Sequence, residues 1–520
     1  MNLTKLLPKT VRMYPEKDAV VCNGTRFTYQ QFCCRVGNLT NALLELGIGR
    51  NDKVAVLHKN CHYYLESYFG VMHSGAVLVP LNHYLSVDEL AFILNDSESE
   101  LLIVDSKFSK KVDDTNERLQ KDIKIINTEK EYEEIIASSS SSLPSIDIEE
   151  DDIAQIYYTS GTTGKAKGVV LSHKNVYLHS KYTIDELSIK ENDVWLHAAP
   201  LFHLADAWAT WAITLVGGTH ILTGDFEPKR ICECMEKQKV TLTNLVPTMY
   251  YRLVNYTEVN KYDYSSLRVL LSGGAPISPT LINRIIETFK CDYIQTYGMT
   301  ETSPFLTMSI LRDHLCSLPY EEQLKYKATT GRKFIGVDLK VINEKGEEVK
   351  PDNKDVGEII VKGETITKGY WRLPQETKKV FKNGWLYTGD MAVIDKEGYV
   401  TIVDRKGDMI ITGGENVYSI EVENVLYKHP SILEAAVIGI PDEEWGEIVK
   451  AIVVLNKGKK ATEGEIINFC KERIAAYKIP KSVEFLDSLP KLGSGKISKK
   501  RLKERFCEKN QISPNRRNNL

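Results

Sequence analysis

LRVLLSGGAPISPTLINRIIETFKCDYIQTYGMTET, residues 267–302, carries the pattern that sets the fold class. A short apolar run, Leu267 to Leu271, ends in Ser272, Gly273 and Gly274. A stretch of helical length follows from Pro279 to Lys290, and a second apolar run, Cys291 to Gly298, closes the unit. Strand, crossover helix and strand in that order predict parallel pairing. GTHILTG (218–224) and VTLTNLV (240–246) repeat the pattern upstream, and a similar alternation begins near Asp52. In open α/β sheets ligands gather beyond the carboxyl ends of strands, so SGGAPIS (272–278) and QTYGMTET (295–302) are the expected site loops.

Past Thr330 the strands come closer together and turn at polar, Gly-containing residues, as in DLKVINEKGEEVK (338–350) and MAVIDKEGYVTIVD (391–404). These read as antiparallel hairpins. After Asp404 the order is helix (Ser419 to His429), strands (Glu434 to Ile440, Val449 to Asn456), helix (Thr462 to Ala475) and strand (Ser482 to Leu486). The expected fold class is α/β: a large N-terminal domain of mixed and parallel sheets with helices plus a β-rich subdomain, then a small mobile α+β C-terminal domain. The boundaries read as 1–403, a polar Gly-bearing hinge DRKGDM at 404–409, and 410–520. The serine run Ser138 to Ser142, followed by Leu143 and Pro144, reads as a flexible surface connection.

The length, 520 residues, corresponds to roughly three to four folding units at about 150 residues each. With 42% apolar and 26% charged residues the composition is that of globular protein. Sixty-seven Lys and Arg against 70 Asp and Glu leave a net charge of -3, so no basic field exists to hold a nucleic-acid backbone. Ten irregularly spaced Cys read as reduced thiols, and Cys232 with Cys234 as core packing. No secretory leader is read at the N-terminus, and the longest apolar stretch, Ala207 to Val216, is too short to span a bilayer. A cytoplasmic protein with small-molecule partners, no nucleic acid and no transmembrane segment is expected, as a monomer or homodimer.

YYTSGTTGKAKG, Tyr157 to Gly168, places glycines, hydroxyls and two lysines after an apolar run. Freed backbone amides, Ser/Thr hydroxyls and Lys charge are what a polyphosphate requires. A Walker loop is excluded, because only Thr162 and Thr163 separate Gly161 from Gly164. Together with YGMTET, GWLYTGD, VDRKGDMIITGGENVYSIEVE and PKLGSGKISK, in that order, the segment resembles the adenylate-forming acyl-CoA synthetase superfamily over nearly the whole chain. The GGENVYSIEVE version is most similar to the fatty acid (medium/long-chain) CoA ligases.

The resemblance implies an acid:CoA ligase. ATP converts a carboxylic acid to an acyl-adenylate and pyrophosphate, then coenzyme A takes the acyl group as a thioester, with a fatty acid as the expected substrate. Alternatives are an aryl-acid ligase of the coumarate type or a carrier-protein-loading enzyme. Two anions must be brought together, so the chemistry asks for charge neutralisation and alignment rather than a side-chain nucleophile.

By that resemblance Thr159, Ser160, Gly161, Thr162, Thr163, Gly164 and Lys167 hold the ATP phosphates, with Ala166 standing where Pro is usual. Glu301, with Thr159, holds Mg2+, and Thr300 bonds the α-phosphate or the acyl carboxylate. Gly273, Gly274 and Ala275 lie against adenine, Tyr297 covers its other face, and Gln295 and Thr296 sit at its edge. Asp390 accepts from the ribose hydroxyls and Arg405 adds charge nearby. Lys496 is the catalytic lysine of adenylation, the loop Gly413, Gly414 and Glu415 serves thioester formation, and Gly407 is the pivot between them. His203, an aromatic gate, begins the wall of the acyl pocket with Val246 and Phe305. Asp206 stands where Gly is common, and Gly407 and Ile411 also depart from relatives.

Overall fold

The computed structural model describes residues 2–160, 166–275, 277–491 and 497–511. Two compact units are present: Met1–Leu339 with Val361–Leu386, and Lys340–Ile360 with Tyr387–Leu520. The α/β class holds.

In the first unit one sheet runs in the order Lys124–Asn127, Ser99–Val104, Lys53–Leu57, Val77–Pro80, Ile153–Ser160, Ala166–Ser172. Its neighbours are parallel until the last pair, an antiparallel hairpin that sets Thr159 opposite Lys167. The strands of the second sheet include the four of the parallel series predicted from sequence, Asp292–Gly298, Val269–Ser272, Leu242–Leu245 and Thr219–Leu222, with two further parallel strands that the sequence reading did not pick out, Val194–His197 between Leu242–Leu245 and Thr219–Leu222, and Asp18–Cys22 beyond the latter. Both faces of such a sheet are covered, so its strands are buried along most of their length, including the polar His197, His220, Thr243 and Asn244. Ile282, Ile285 and Phe289, one stripe of helix Pro279–Phe289, bury against the strand residues Leu270 and Tyr293. Burying three such side chains contributes on the order of 5–9 kcal/mol before entropy is subtracted.

Helix Tyr29–Glu45 starts at a capping box, with the Thr28 hydroxyl accepting from the Gln31 amide and the Gln31 side chain accepting from the Thr28 amide. Its far face tethers the serine run. The Asn38 side chain donates to the Ser139 carbonyl at 2.6 Å, and Asn41 donates to the carbonyls of Ser140 and Ser142 at 2.7 and 2.8 Å. A methyl at Gly37 would lie 2.0 Å from the Ser141 carbonyl oxygen. The flexible connection expected from composition is therefore packed down. Serine composition registers polarity but not the amide side chains waiting on another helix.

In the second unit the part of strand Trp385–Ile394 from Tyr387 onward forms a hairpin with Tyr399–Arg405 that pairs Asp390 with Arg405. A five-stranded sheet follows, ordered Glu415–Val417, Ile410–Thr412, Gly446–Leu455, Ile432–Asp442, with Ser482–Phe485 parallel to Gly446–Leu455. Helices Ser419–Leu426 and Glu463–Lys471 cover one face over Val437, Ala451 and Val453. Leu502 and Phe506 of the last helix cover Ala436, Ile438 and Ile452 on the other. Residues 404–409 lie inside this unit. Asp404 is buried and accepts from both the amide and the hydroxyl of Ser419, which anchors the start of helix Ser419–Leu426.

Candidate functional site

The loops singled out in the sequence sit at strand ends. Thr296 donates its hydroxyl to the Ser272 carbonyl at 3.0 Å, tying the end of Asp292–Gly298 to that of Val269–Ser272. A methyl at Gly273 would lie 2.5 Å from the Thr296 oxygen, so the first glycine is dictated by close approach. Gly274 has φ +80°, the left-handed region glycine tolerates. Gln295 donates to the Ala275 carbonyl at 3.1 Å and accepts from the Tyr293 hydroxyl at 2.6 Å. Gly273, Gly274, Ala275, Gln295 and Thr296 thus form one assembly, in which Gln295 and Thr296 are buried and shape the loop from behind. Tyr297, half-buried, follows at the strand end.

Glu301 lies in a single turn, Thr300–Thr302, and is only 7% exposed. The Tyr370 hydroxyl donates to its Oε1 at 2.8 Å, and the Thr367 amide donates to its backbone oxygen at the same distance. Burial and the neighbouring Glu301 charge push the Tyr370 phenol up, so it stays a donor. A methyl at Gly298 would lie 1.9 Å from the Pro304 carbonyl oxygen, which fixes how the turn leaves the strand.

Lys167 is ion-paired with Glu376 at 2.6 Å and its ammonium lies 5.4 Å from the centre of the Tyr370 ring. The Lys167 hydrogen bond, with a second from Lys379, holds the Glu376 carboxyl down to about 2. Tyr370 and Glu376 were not picked out from sequence; an aromatic and an acid in YWRLPQE carry no local signal of what they meet. Lys167, Tyr370 and Glu301 form a charged assembly joined through one aromatic ring. Carboxylate and hydroxyl oxygens of Glu301 and Thr159 are the hard donors that suit Mg2+.

His203 caps helix Leu204–Ala207, its Nδ1 accepting from the Ala205 amide at 3.1 Å. Phe305 is 3% exposed among Trp208, His179 and Phe334, at ring distances of 5.1, 5.1 and 5.9 Å. Val246, half-buried, precedes helix Pro247–Val254. Asp206 is fully buried: it accepts from the Trp195 indole at 3.1 Å and pairs with His197 at 2.7 Å, and His197 in turn bonds His220 at 3.0 Å. Burial pushes the Asp206 carboxyl up against the opposing pull of His197.

In the second unit Asp390 is buried, with the Arg405 guanidinium 3.3 Å from its Oδ1. Gly413 and Gly414 have φ of +57° and +85°, and Glu415 is exposed. The Trp445 ring closes on Gly413, whose amide donates to the Trp445 carbonyl at 2.8 Å. Gly407 has open space where a side chain would go, and its carbonyl accepts from Lys503 at 3.0 Å. Lys496, Gly161, Thr162, Thr163 and Gly164 lie outside the described residues, as does the Ser160 side chain. No helix among the described residues is long and apolar enough to cross a membrane. Cys232 and Cys234 both lie on helix Pro228–Lys237, Cys232 buried in the core and Cys234 partly buried against it, both as free thiols.

Residues 7–371 match the family described as AMP-binding enzyme, and residues 421–496 match its C-terminal domain. The chain belongs to the AMP-binding enzyme family. It is 38% identical to a feruloyl-CoA synthase from an Amycolatopsis species, over 96% of this chain and 98% of that one. It is 36% identical to 4-hydroxybutyrate–CoA ligase 2 of Metallosphaera sedula (95% and 92% covered) and to a long-chain-fatty-acid–CoA ligase of Thermus thermophilus (97% and 96%). Among solved structures, ATP-bound MatB from Rhodopseudomonas palustris is similar with a TM-score of 0.88 at 30% identity, covering 98% of this chain and 99% of that one. The O-succinylbenzoate coenzyme A synthetase of Bacillus subtilis, in complex with ATP and magnesium, gives 0.84 at 31% identity (96% and 99%). This AMP-binding enzyme is an AMP-forming acid–CoA ligase that works through an acyl-adenylate, with ATP and CoA as substrates.

Proposed function

We propose that this ligase activates a medium or long fatty acid. The carrying observation is the apolar and aromatic character of the segment that follows His203. Ala207 through Thr214 are buried, and Trp208 packs edge-on against Phe305. If such groups wall the acyl site, as the resemblance implies, they favour an apolar tail over a small polar acid. The aryl-acid alternative draws support from the 38% identity to a feruloyl-CoA synthase.

In this reading Thr159 and Lys167 meet the β- and γ-phosphates, with Lys167 exchanging Glu376 for phosphate oxygen. Glu301 and Thr159 would hold Mg2+, which when bound neutralises phosphate charge. The Tyr370 proton fixes the orientation of Glu301. Thr300 aligns the α-phosphate or the attacking carboxylate, so the two anions meet in a prepared geometry. The loop Gly273 to Ala275 and Tyr297 take the adenine between them, and Asp390, with Arg405 beside it, accepts from the ribose hydroxyls. Lys496 supplies positive charge at the α-phosphate during adenylation, and the loop Gly413 to Glu415 serves thioester formation. Domain alternation about Gly407, in a hinge at 404–409 between 1–403 and 410–520, brings each in turn. A cytoplasmic monomer or homodimer completes the reading.

The test is pyrophosphate release with a panel of fatty, aryl and short acids, with and without CoA. The expected result is highest kcat/KM for medium or long fatty acids and CoA-dependent thioester formation. Preference for an aryl acid would replace the substrate assignment. Lys496→Ala should suppress adenylation at least about a hundredfold while sparing thioester formation from supplied adenylate, as expected when one charge on the transition state is lost. Equal losses in both half-reactions would overturn its role.

A further inference from the structure

Two antiparallel strands, Ile153–Ser160 and Ala166–Ser172, carry residues assigned above to the ATP phosphates, and their register sets Tyr158 opposite Gly168 and Thr159 opposite Lys167. A third segment joins their edge. Tyr370 bridges to Val169, the Trp371 amide donates to the Gly168 carbonyl at 2.7 Å, and the Val170 amide donates to the Gly369 carbonyl at 3.2 Å. This edge segment carries the Tyr370 hydroxyl to Glu301 and its ring to Lys167. One residue from outside reaches both parts. Asp96, in the last turn of helix Val87–Ser97, accepts through Oδ2 from the Tyr158 hydroxyl at 2.6 Å, and its backbone carbonyl accepts from the Trp371 indole at 3.0 Å. We propose that Asp96 is a positioning residue for adenylation, holding the phosphate-binding strands and the Tyr370–Glu301 pair in one register. The proposal rests on the reading that Thr159, Lys167 and Glu301 meet the phosphates and Mg2+.

An acid in the last turn of a helix opposes the helix dipole, and no basic residue in that turn compensates here. The bond from Tyr158 offsets this cost. Burial, and then the bond to Asp96, push the Tyr158 phenol up, so it stays a donor. The Trp371 indole takes one of the last-turn carbonyls that a helix leaves without an internal donor. The charged neighbours have other partners: Arg372 pairs with Glu98, and Lys53 lies 4.7 Å from the centre of the Trp371 ring.

The strand between these groups is shaped to receive them. A methyl at Gly168 would lie 3.1 Å from the Tyr158 ring and 3.2 Å from the Trp371 Cβ, so the missing side chain lets Tyr158 and Trp371 close over the outgoing strand. Tyr158 directly precedes Thr159, and Trp371 directly follows Tyr370. A displacement at Asp96 is therefore passed through one peptide to a phosphate-binding residue and through one peptide to the donor that orients Glu301. Asp96 acts through these two neighbours and not on ATP itself.

The test is ATP–pyrophosphate exchange on the full-length protein, with the acid of highest kcat/KM in the panel above, for Asp96→Ala, Asp96→Asn, Tyr158→Phe and the double variant of Asp96→Ala with Tyr158→Phe. All four keep the backbone carbonyl that Trp371 uses, so only the side-chain bond is probed. Asp96→Ala and Tyr158→Phe should each raise the KM for ATP about tenfold, the size of one hydrogen bond to a charged group, with kcat changed less than about threefold. The double variant should match the single ones, because they remove the same bond. Asp96→Asn, whose amide oxygen still accepts from Tyr158, should recover most of the loss. Thioester formation from the supplied adenylate of the same acid uses no β- or γ-phosphate and should be unchanged in every variant. An unchanged KM for ATP in Asp96→Ala and Tyr158→Phe, additive losses in the double variant, or equal losses in both half-reactions would overturn the proposal. Lys167→Ala separates it from the reading beneath it. A raised KM for ATP in Lys167→Ala beside an unchanged one in Asp96→Ala overturns the positioning role alone, whereas an unchanged KM in Lys167→Ala overturns both.

Discussion

Replacing Tyr370 with Phe removes one oxygen atom, the one whose proton reaches Glu301 Oε1 at 2.8 Å. Glu301 is 7% exposed, so water does not readily take over the lost bond. A hydrogen bond to a charged group in such a setting is worth about 1.5–3 kcal/mol. At about 1.4 kcal/mol per factor of ten, that corresponds to roughly a tenfold to hundredfold weakening of any function that needs Glu301 oriented. The ring stays in the Phe variant and Lys167 keeps its aromatic neighbour 5.4 Å away, so the hydroxyl alone is probed. The assay is ATP–pyrophosphate exchange measured against Mg2+ concentration. The midpoint should rise by that factor while the rate at saturating Mg2+ changes little. In a Glu301→Gln background the Tyr370→Phe change should add almost nothing, because the partner is already altered. An unchanged Mg2+ midpoint, or full additivity with Glu301→Gln, would refute the argument that Tyr370 acts through Glu301.

Glu376→Gln releases Lys167 from its ion pair and should lower the KM for ATP up to about tenfold, a modest figure because the pair is partly solvated; steady-state kinetics showing no change would mean that Glu376 does not compete with phosphate. Gly298→Ala drives a methyl to 1.9 Å from a backbone oxygen and should cost at least about 3 kcal/mol, read as a fall in Tm and loss of adenylation, whereas Gly384→Ala, with open space at φ +78°, should cost about 1 kcal/mol. His73 and His173 are buried, and burial lowers each to about 4. The unfolded chain therefore takes up these protons first as pH falls, so stability is full above about 6.5 and declines toward 4, on the order of 3 kcal/mol per site. Urea melts across that range should show the loss, and His73→Gln should flatten it.

Much of the architecture could be read from neighbours in the chain. The unit Leu267 to Gly298 announces strand, helix and strand because apolar runs, a stripe of Ile282, Ile285 and Phe289, and Gly-bearing ends all lie within one span. Gly273 beside Thr296 is likewise a consequence of two adjacent parallel strands ending together. Turn chemistry made the hairpin after Trp385 legible for the same reason, and the ordered motifs gave the family. Such signals are local, set by backbone periodicity and by what glycine permits.

Only the tertiary structure decided who meets whom across long separations. Tyr370 reaches Glu301 from 69 residues away and Glu376 reaches Lys167 from 209. Asn41 ties down a serine run that composition alone reads as loose. Asn60 reaches the carbonyls of His197 and Ala199 from 137 and 139 residues away. None of these pairings imposes a spacing on the sequence, because a hydrogen bond or ion pair depends on the final distance between side chains and not on how much chain lies between them.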